Sequence, residues 1–353
     1  RREIGAKWSL EDYIVKARES MVANSETWEG TIDRIGRWVD FKGAYRTMDK
    51  NFMESVWWAF KTLYEAGKIY EGRKVLMYDT KFATPVSKSE VTMDNDAYRE
   101  VTDPSAYVLF RMGDKQNSAG IMLLGDWVMD GDDIYFLAWT TTPWTLPANA
   151  GLAVNPKLKY AGYEIDGKIL VALESCGEKL FGGKKPEFTV IGKDLIGVNY
   201  EPLFGAYQSE DLHQDEDDFV VHGADFVSDV DGTGIVHIAP AYGEDDYNLL
   251  LTEKQNNEKY CQEYDENPNT YPSRPLYPEM SVIDVLDEYG YYLPEVAEKL
   301  HELGVRDTDE RGIEVWAGNK FIAKCLEETG IVWKIEYIKH EYPFNPRSKQ
   351  RIM

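Results

Sequence analysis

The chain has 353 residues, and its 39 basic and 62 acidic side chains give a formal net charge of −23. Hydrophobic residues make up 43% and aromatic residues 13% of the chain, so it can form a substantial core and is not intrinsically disordered. No apolar run approaches about 18 residues, so the sequence predicts no membrane span, and we expect no membrane partner. The acidic balance, taken alone, argues against a non-specific nucleic-acid binder. Because it opens Arg1-Arg2 without Met, we expect a piece of a longer protein.

The cysteines, Cys176, Cys261 and Cys325, lie far apart and form no Cys-x-x-Cys pattern. This spacing argues against a thiolate zinc knuckle and against a disulfide framework. We therefore expect no metal in this chain, and a reducing cytoplasm as its location.

The first part of the chain is predicted to be helical. Ser9 with Asp12 is a capping-box pattern ahead of a helix that runs to about Glu26. A second helix is predicted to start near Asp49 and to stop at Gly67. Its apolar face consists of Phe52, Val56, Phe60 and Leu63.

The middle of the chain has short apolar runs separated by Gly, Asp, Asn and Pro turns, which indicates a barrel or sandwich. The predicted strands are Tyr107–Met112, Ile121–Leu124, Ile134–Trp139, Ile169–Leu173, Phe188–Ile191, Phe219–His222 and Ile235–Ala239. The helices predicted after them are Asp245–Gln255, Pro294–Leu303 and Asn319–Thr329. Residues 256–280 are predicted to be an extended surface insertion, and the acidic run Glu210–Asp218 a solvated loop. The fold class is therefore α+β.

One candidate site is the segment from Ala138 to Asn149, in which Thr140, Thr141 and Thr142 leave a strand and enter a stretch with two prolines. Each hydroxyl both donates and accepts, and proline fixes φ, so the segment can hold polar groups rigidly around a small ligand. The alternative is a β-branched strand end before a proline turn.

A second candidate lies between Gly232 and Tyr247, where a short strand carries His237 and a Pro/Gly loop then delivers Asp245 and Asp246 to a helix start. His237 points opposite to its neighbours Val236 and Ile238, into a lumen or into solvent. The alternatives are a structural histidine and acids that only stabilise the helix dipole. No Walker loop, dinucleotide fingerprint or His-Glu-x-x-His motif is present.

Taken together, the motifs Trp139-Thr-Thr-Thr-Pro-Trp-Thr-Leu-Pro-Ala-Asn149 and Gly232-Thr-Gly-Ile-Val-His-x-Ala-Pro-x-x-Gly-Glu-Asp-Asp-Tyr247 resemble the inserted editing domain of isoleucyl-tRNA synthetases. The valyl and leucyl branches have Thr-Arg-Pro where this chain has Thr141-Thr142-Pro143. The resemblance implies a β-barrel-like editing domain with peripheral helices over residues 79–338, with an acidic loop at 205–218 and an insertion at 253–310. It also implies a helical segment at 1–78 on the catalytic-core side, and a segment at 339–353 that returns toward that core.

The resemblance further implies hydrolysis of the ester of mischarged Val-tRNA(Ile). Isoleucine and valine differ by one methylene, and this synthetase is itself the established example that an apolar pocket separates them by only about 1–3 kcal/mol. A second, smaller pocket removes the error. The implied catalytic residues are Thr140, Thr141, Thr142 and Asp246. The implied substrate-binding residues are Trp144, Asn149, His237 and Asp245.

The implied partners are the valine-carrying acceptor end of tRNA(Ile) and the rest of the synthetase, with a monomer expected. The family's ATP-site signatures, His-x-Gly-His and Lys-Met-Ser-Lys-Ser, are absent, so we do not expect this chain to make aminoacyl-adenylate by itself. We expect no cofactor for the chain, and ATP and Mg for the longer parent. The family's occasional flanking Cys pairs are also absent, their equivalents being Met77-Tyr78-Asp79-Thr80 and Asn345-Pro346-Arg347-Ser348. Two alternatives stay open: a catalytically silent tRNA- or partner-binding module, and an acidic hydrolase using Glu244 with Asp246.

Overall fold

Helices form the first part of the chain, and sheets with flanking helices form the second. The computed structural model describes residues 7–23, 25–41, 43–92, 97–113, 133–207, 212, 214, 219–230, 232–266 and 280–353. The chain divides into two compact units, Arg1–Arg73 and Lys74–Met353. Within the described residues, no helix is both long and apolar enough to cross a membrane.

The first unit contains helices α1 (Leu10–Val22), α2 (Ser25–Arg34) and α3 (Lys50–Glu65). Ser9 forms the predicted cap, because its Oγ accepts the Asp12 backbone N–H at 3.1 Å. The predicted single helix to Glu26 is wrong in extent, since α1 ends at Val22 and a new helix starts at Ser25.

Helix α3 has the predicted start and stop. Asp49 is its N-cap residue, and Gly67 beyond its end has a φ of +67°, a conformation that glycine adopts without strain. The predicted apolar face is present on α3, but its side chains are not buried: Val56, Phe60 and Leu63 remain about half exposed.

The second unit contains a six-stranded sheet and a three-stranded sheet, together with a small β1–β2 ribbon. The six-stranded sheet has the order β11-β3-β4-β7-β6-β8, and the three-stranded sheet the order β10-β5-β9. The strands are β1 (Tyr78–Asp79), β2 (Thr84–Pro85), β3 (Tyr98–Arg111), β4 (Ile134–Thr140), β5 (Gly151–Val154), β6 (Lys159–Ile165), β7 (Lys168–Leu173), β8 (Phe188–Ile191), β9 (Val221–Gly223), β10 (Ile235–Ile238) and β11 (Val332–Pro343).

The α+β class is confirmed, but the barrel-like description is too loose. The described strands form open sheets, and no closed barrel is formed among them. The predicted strand Ile121–Leu124 and most of the acidic run Glu210–Asp218 lie outside the described residues. The predicted strands do not include β1, β2, β5, β6 or β11. Strand β11 pairs antiparallel with β3 along almost its whole length, which also makes β3 much longer than predicted.

The helices of the second unit are α4 (Glu174–Leu180), α5 (Glu244–Glu266), α6 (Pro294–Glu302) and α7 (Val315–Glu328). Helix α5 continues through residues 256–266, so the prediction of an extended insertion is wrong there. Residues 267–279 lie outside the described part of the chain. Helices α6 and α7 confirm the predicted helices near Pro294 and Asn319, with α7 beginning four residues earlier than expected.

The main core of the second unit lies on one face of the six-stranded sheet. It combines sheet residues such as Phe110, Phe136 and Val171 with Leu146 from the 3-10 turn after β4 and with Ile322 from α7. This turn, Pro143–Ala148, is buried along its whole length. The segment after the three threonines is therefore held rigidly by the core.

Candidate functional site

The threonine segment leaves the end of β4 and folds directly into the 3-10 helix Pro143–Ala148. Proline suits the first position of this helix, because its missing N–H would have no partner there. The backbone N–H of Thr142 donates to Thr140 Oγ1 at 3.1 Å, and the two hydroxyl oxygens lie 3.4 Å apart. Thr140 is buried, while Thr141 and Thr142 are partly exposed. The segment thus presents a cluster of hydroxyl groups at the edge of the core.

The 3-10 turn is anchored by side chains from distant elements. Asn319 Oδ1 accepts the Trp144 backbone N–H at 3.1 Å, and the Tyr292 hydroxyl donates to the Trp144 carbonyl at 2.7 Å. The Trp144 ring is only 5% exposed and packs edge-on against Tyr242 and Trp316. Trp144 is therefore a core residue beneath the threonines, and its contact with an adenosine stays a prediction.

His237 joins the two predicted motifs. Strand β10 pairs antiparallel with β5, and this pairing brings the ring to the 3-10 turn. His237 Nε2 lies 3.1 Å from Thr145 Oγ1, and Nδ1 lies 2.8 Å from Asn149 Nδ2. The ring faces the interior, because its exposed fraction is only 7%. Burial lowers the pKa of His237 to about 4, so the ring is neutral at pH 7.

Asp246 lies in the first turn of α5, and its carboxylate folds back over the preceding loop. Its Oδ2 accepts the Ala239 backbone N–H at 2.8 Å, just beyond the end of β10. Gly243 permits this, because a Cβ there would lie 2.6 Å from Asp246 Cγ. Burial raises the pKa of Asp246, the Ala239 hydrogen bond opposes that shift, and Asp245 adds to it. Among the described residues, no lysine or arginine pairs with this carboxylate.

The neighbouring acids differ from Asp246. Asp245 is exposed, and nothing in the described structure brings it to the threonine cluster. Glu244 is bound by Lys88, whose Nζ lies 2.7 Å from Oε2, and this hydrogen bond and charge lower the pKa of Glu244. Only Asp246, of the three, combines partial burial with an acceptor oxygen beside the end of β10.

Three polar residues that sequence reasoning missed complete the cluster. Thr145 connects the threonines to His237, the Tyr200 hydroxyl donates to Asn149 Oδ1 at 2.6 Å, and Gln214 Nε2 donates to the Asn149 carbonyl at 3.0 Å. Thr145 lies inside the first motif and could have been chosen. Tyr200 and Gln214 lie between the motifs, in no pattern that marks them.

A cavity of about 720 Å³ in the second unit is lined by other residues. Its lining includes Met77, Lys88, Tyr242, Asp284 and Met353, but none of the threonines, His237 or Asp246. Within the described ranges, no group of three or more His, Cys, Asp or Glu side chains could hold a metal ion.

A family profile described as "tRNA synthetases class I (I, L, M and V)" matches residues 1–326. The chain belongs to this family. Relatives of this class I synthetase chain include the cytoplasmic isoleucine–tRNA ligase of Saccharomyces cerevisiae, 34% identical over 97% of the chain and 28% of the relative. The isoleucine–tRNA ligase of Chlamydia trachomatis is 32% identical over 96% of the chain and 27% of the relative. The resemblance to isoleucyl-tRNA synthetases is thereby confirmed.

The synthetase chain spans about a quarter of the length of these curated relatives. Solved structures similar to it include "GlLeuRS-CP1", with 14% identity and a TM-score of 0.47 over 66% of this chain and 98% of that one. The editing domain of the P. knowlesi cytosolic leucyl-tRNA synthetase has 14% identity and a TM-score of 0.42 over 65% of this chain and 95% of that one.

Proposed function

We propose that this chain hydrolyses the ester bond of Val-tRNA(Ile) after valine has been transferred in error, in a pocket that excludes isoleucine. One observation carries the proposal: His237 ties the threonine segment of one motif to the strand of the other, and Asp246 is hydrogen-bonded just past the end of that strand. The names of the relatives, isoleucine–tRNA ligases, support isoleucine as the amino acid that such a pocket must spare.

Asp246 is the residue that we assign to the α-ammonium group of the aminoacyl ester. Its carboxylate is partly buried and has no cationic partner among the described residues, so an incoming ammonium group would supply one. The contact is made by any aminoacyl ester, and it therefore orients the substrate without selecting the side chain. Asp245, which is exposed, would contribute only through its charge.

The threonine hydroxyls hold the reacting groups in this proposal. A water molecule attacks the ester carbonyl carbon, a new C–O bond forms to the water oxygen, and the C–O bond to the ribose breaks. The proton that the water loses ends on the ribose oxygen, so the products are valine and tRNA with a free terminal hydroxyl. Thr140 and Thr142 position the water, and the Thr141 hydroxyl donates a hydrogen bond to the carbonyl oxygen as charge develops on it. The reaction needs no cofactor.

We assign His237 to the side-chain wall of the pocket. Both ring nitrogens are already hydrogen-bonded and the ring is neutral, so it suits a rigid wall better than a general base. A wall that cannot move aside penalises an additional methylene through steric overlap. Asn149 supports this wall through its contact with His237 Nδ1, and Trp144 is buried in the core beneath the threonines.

The whole synthetase would join isoleucine to tRNA(Ile) with ATP and Mg, and the remainder of it would hold the tRNA body. The charge of −23 is consistent with this division, because so acidic a chain binds nucleic acid weakly by itself. We place the protein in the cytoplasm, where two of its relatives are named as acting, and expect a monomer.

The two alternatives lack a supporting observation. An acidic hydrolase would need Glu244 and Asp246 to face one substrate, but Glu244 is exposed and paired with Lys88. A silent binding module would be expected to have a broken threonine segment or a replaced Asp246, and both features are intact.

The test is single-turnover deacylation. The chain is mixed in excess with labelled Val-tRNA(Ile) or Ile-tRNA(Ile), and release of the amino acid is followed against an enzyme-free blank. We expect valine to be released well above the blank and isoleucine close to it. Release of neither amino acid above the blank, at chain concentrations that saturate the rate, would contradict the proposal.

A further inference from the structure

Tyr200 lies outside both motifs, yet its hydroxyl is part of the same hydrogen-bonded cluster. The residue is 2% exposed and is packed edge-on by the rings of Phe110 and Phe219. Burial raises the pKa of its phenol well above the ordinary value, so the group keeps its proton. Tyr200 can therefore act as a donor, and its partner is Asn149 Oδ1 at 2.6 Å.

The orientation of the Asn149 amide follows from its contact with the Gly151 carbonyl oxygen, which can only accept a hydrogen bond. Asn149 Nδ2 lies 2.9 Å from the Gly151 carbonyl oxygen, so this end of the amide must be the NH₂ group. Its second N–H points at His237 Nδ1, 2.8 Å away. Nδ1 must then carry the lone pair, and a neutral ring carries its proton on Nε2.

The direction of each threonine hydroxyl follows from the proton on His237 Nε2. His237 Nε2–H donates to Thr145 Oγ1 at 3.1 Å, and the proton of Thr145 goes to the Thr142 carbonyl at 2.8 Å. Thr145 has no second proton, so in its 3.3 Å contact with Thr142 Oγ1 the Thr142 hydroxyl donates. In the 3.4 Å contact between Thr140 and Thr142, Thr140 is then the donor. The hydroxyl protons of Thr140 and Thr142 are therefore both used within the cluster, and the remaining lone pairs of the two oxygens are free to accept hydrogen bonds.

We propose that Tyr200 and Asn149 are positioning residues that hold His237 as its Nε2–H tautomer, so that Thr140 and Thr142 present acceptor oxygens to the substrate. This inference rests on the proposed hydrolysis and deepens it. A surface of acceptors holds a water molecule by its protons and turns an oxygen lone pair toward the ester carbon. Donor hydroxyls in the same place would bind the water oxygen and block that lone pair.

The experiment measures the tautomer of His237 by NMR and, separately, the rate of Val-tRNA(Ile) hydrolysis. The 353-residue chain is labelled with ¹⁵N-histidine, the His237 signals are assigned with a His237→Gln variant, and long-range ¹H–¹⁵N correlation identifies the protonated nitrogen. We expect a proton on Nε2 in the wild type. Asn149→Asp removes the N–H opposite Nδ1 and should move the proton to Nδ1, with a loss of at least about tenfold in the rate of Val-tRNA(Ile) hydrolysis.

Tyr200→Phe removes only the hydroxyl that orients Asn149. We expect a mixture of tautomers and a hydrolysis rate constant about tenfold lower, with KM within about twofold of the wild type. Tyr163→Phe is the matched control, because that buried hydroxyl donates to the Glu174 carbonyl and belongs to another cluster. It should keep both the Nε2–H signal and the full rate.

The possible results separate the two proposals. A wild-type proton on Nδ1, or a Tyr200→Phe variant with an unchanged tautomer and an unchanged rate, overturns the positioning role. A wild type with the Nε2–H tautomer that does not hydrolyse Val-tRNA(Ile) overturns the proposed function instead. A shifted tautomer together with a reduced rate in Tyr200→Phe supports both.

Discussion

His237 Nε2 lies 3.1 Å from Thr145 Oγ1, and this contact joins two residues, 92 positions apart, that belong to different sequence motifs. The antiparallel pairing of β10 with β5 makes it possible, because it places His237 opposite Leu152, shortly after the 3-10 turn. A lone histidine and a threonine-rich strand end each have an ordinary structural explanation. Their shared, buried hydrogen-bond network brings them together in one candidate site.

Replacing Asp246 tests the ammonium contact. We expect Asp246→Asn to lower the rate of Val-tRNA(Ile) deacylation by about a hundredfold or more, because a neutral amide pairs poorly with an ammonium group. Glu244→Gln, two residues earlier and exposed, is the matched control and should keep the wild-type rate. Equal single-turnover rates for Asp246→Asn and the wild type would remove Asp246 from the mechanism.

Replacing His237 by alanine tests its assignment to the side-chain wall of the pocket. The His237→Ala variant should admit isoleucine, so that Ile-tRNA(Ile) is deacylated at a rate approaching that of Val-tRNA(Ile). The reason is that removing the ring opens space for the additional methylene of isoleucine. One methylene in an apolar pocket accounts for about 1–3 kcal/mol of discrimination. The measurement is the ratio of the two deacylation rates in wild type and variant. If the variant is folded and active but still spares Ile-tRNA(Ile), another residue forms the wall.

Acid should destabilise the second unit through its buried histidines. Burial lowers the pKa of both His222 and His237 from 6.5 to about 4. Between these values the unfolded chain binds protons that the folded chain does not, so the free energy of unfolding falls as the pH drops from about 6.5 to about 4. The raised pKa of Asp246 acts in the opposite sense. Urea unfolding at pH 7, 6 and 5 measures the slope, which should be roughly halved in His222→Gln. A flat profile in the wild type would contradict neutral buried rings.

A buried carboxylate holds the two ends of the second unit together. Asp79 is fully buried, and it accepts hydrogen bonds from the Phe82 backbone N–H at 2.8 Å, from Asn345 Nδ2 at 2.6 Å and from the Ser348 hydroxyl. Asp79→Ala leaves these donors unpaired and should lower the free energy of unfolding by about 3 kcal/mol. Asp133→Ala, at an exposed ion pair with Arg111, should change it by less than about 1 kcal/mol. Equal effects in urea unfolding would contradict the role of Asp79.

The parts of the fold that depend on neighbouring residues could be predicted from the sequence. The Ser9 cap, the strand ending in the threonines and the helix starting near Asp245 all follow from local patterns. The pairing of β3 with β11 could not be predicted, because it joins residues more than two hundred positions apart and β11 mixes charged with apolar residues.

The candidate site also combines residues that local sequence patterns identify with residues that they do not. Both motifs, and within them His237 and Asp246, could be recognised from the sequence. The contribution of Tyr200 could not, because a buried tyrosine in an irregular segment has no sequence signal for its hydrogen-bond partner. The sequence also does not predict that Asp245 is exposed while Asp246 is partly buried. This difference depends on how the first turn of α5 packs against the loop after β10.

Binding of a hydrolysis-resistant valyl-adenosine amide tests whether the threonine cluster and Asp246 form the substrate pocket. The chain is labelled at its threonine and methionine methyl groups, and the analogue is titrated while methyl chemical shifts are recorded. The proposed pocket predicts shifts at the methyl groups of Thr140, Thr141 and Thr142 that disappear in Asp246→Ala. Shifts confined to Met77 and Met353, which line the separate 720 Å³ cavity, would contradict it.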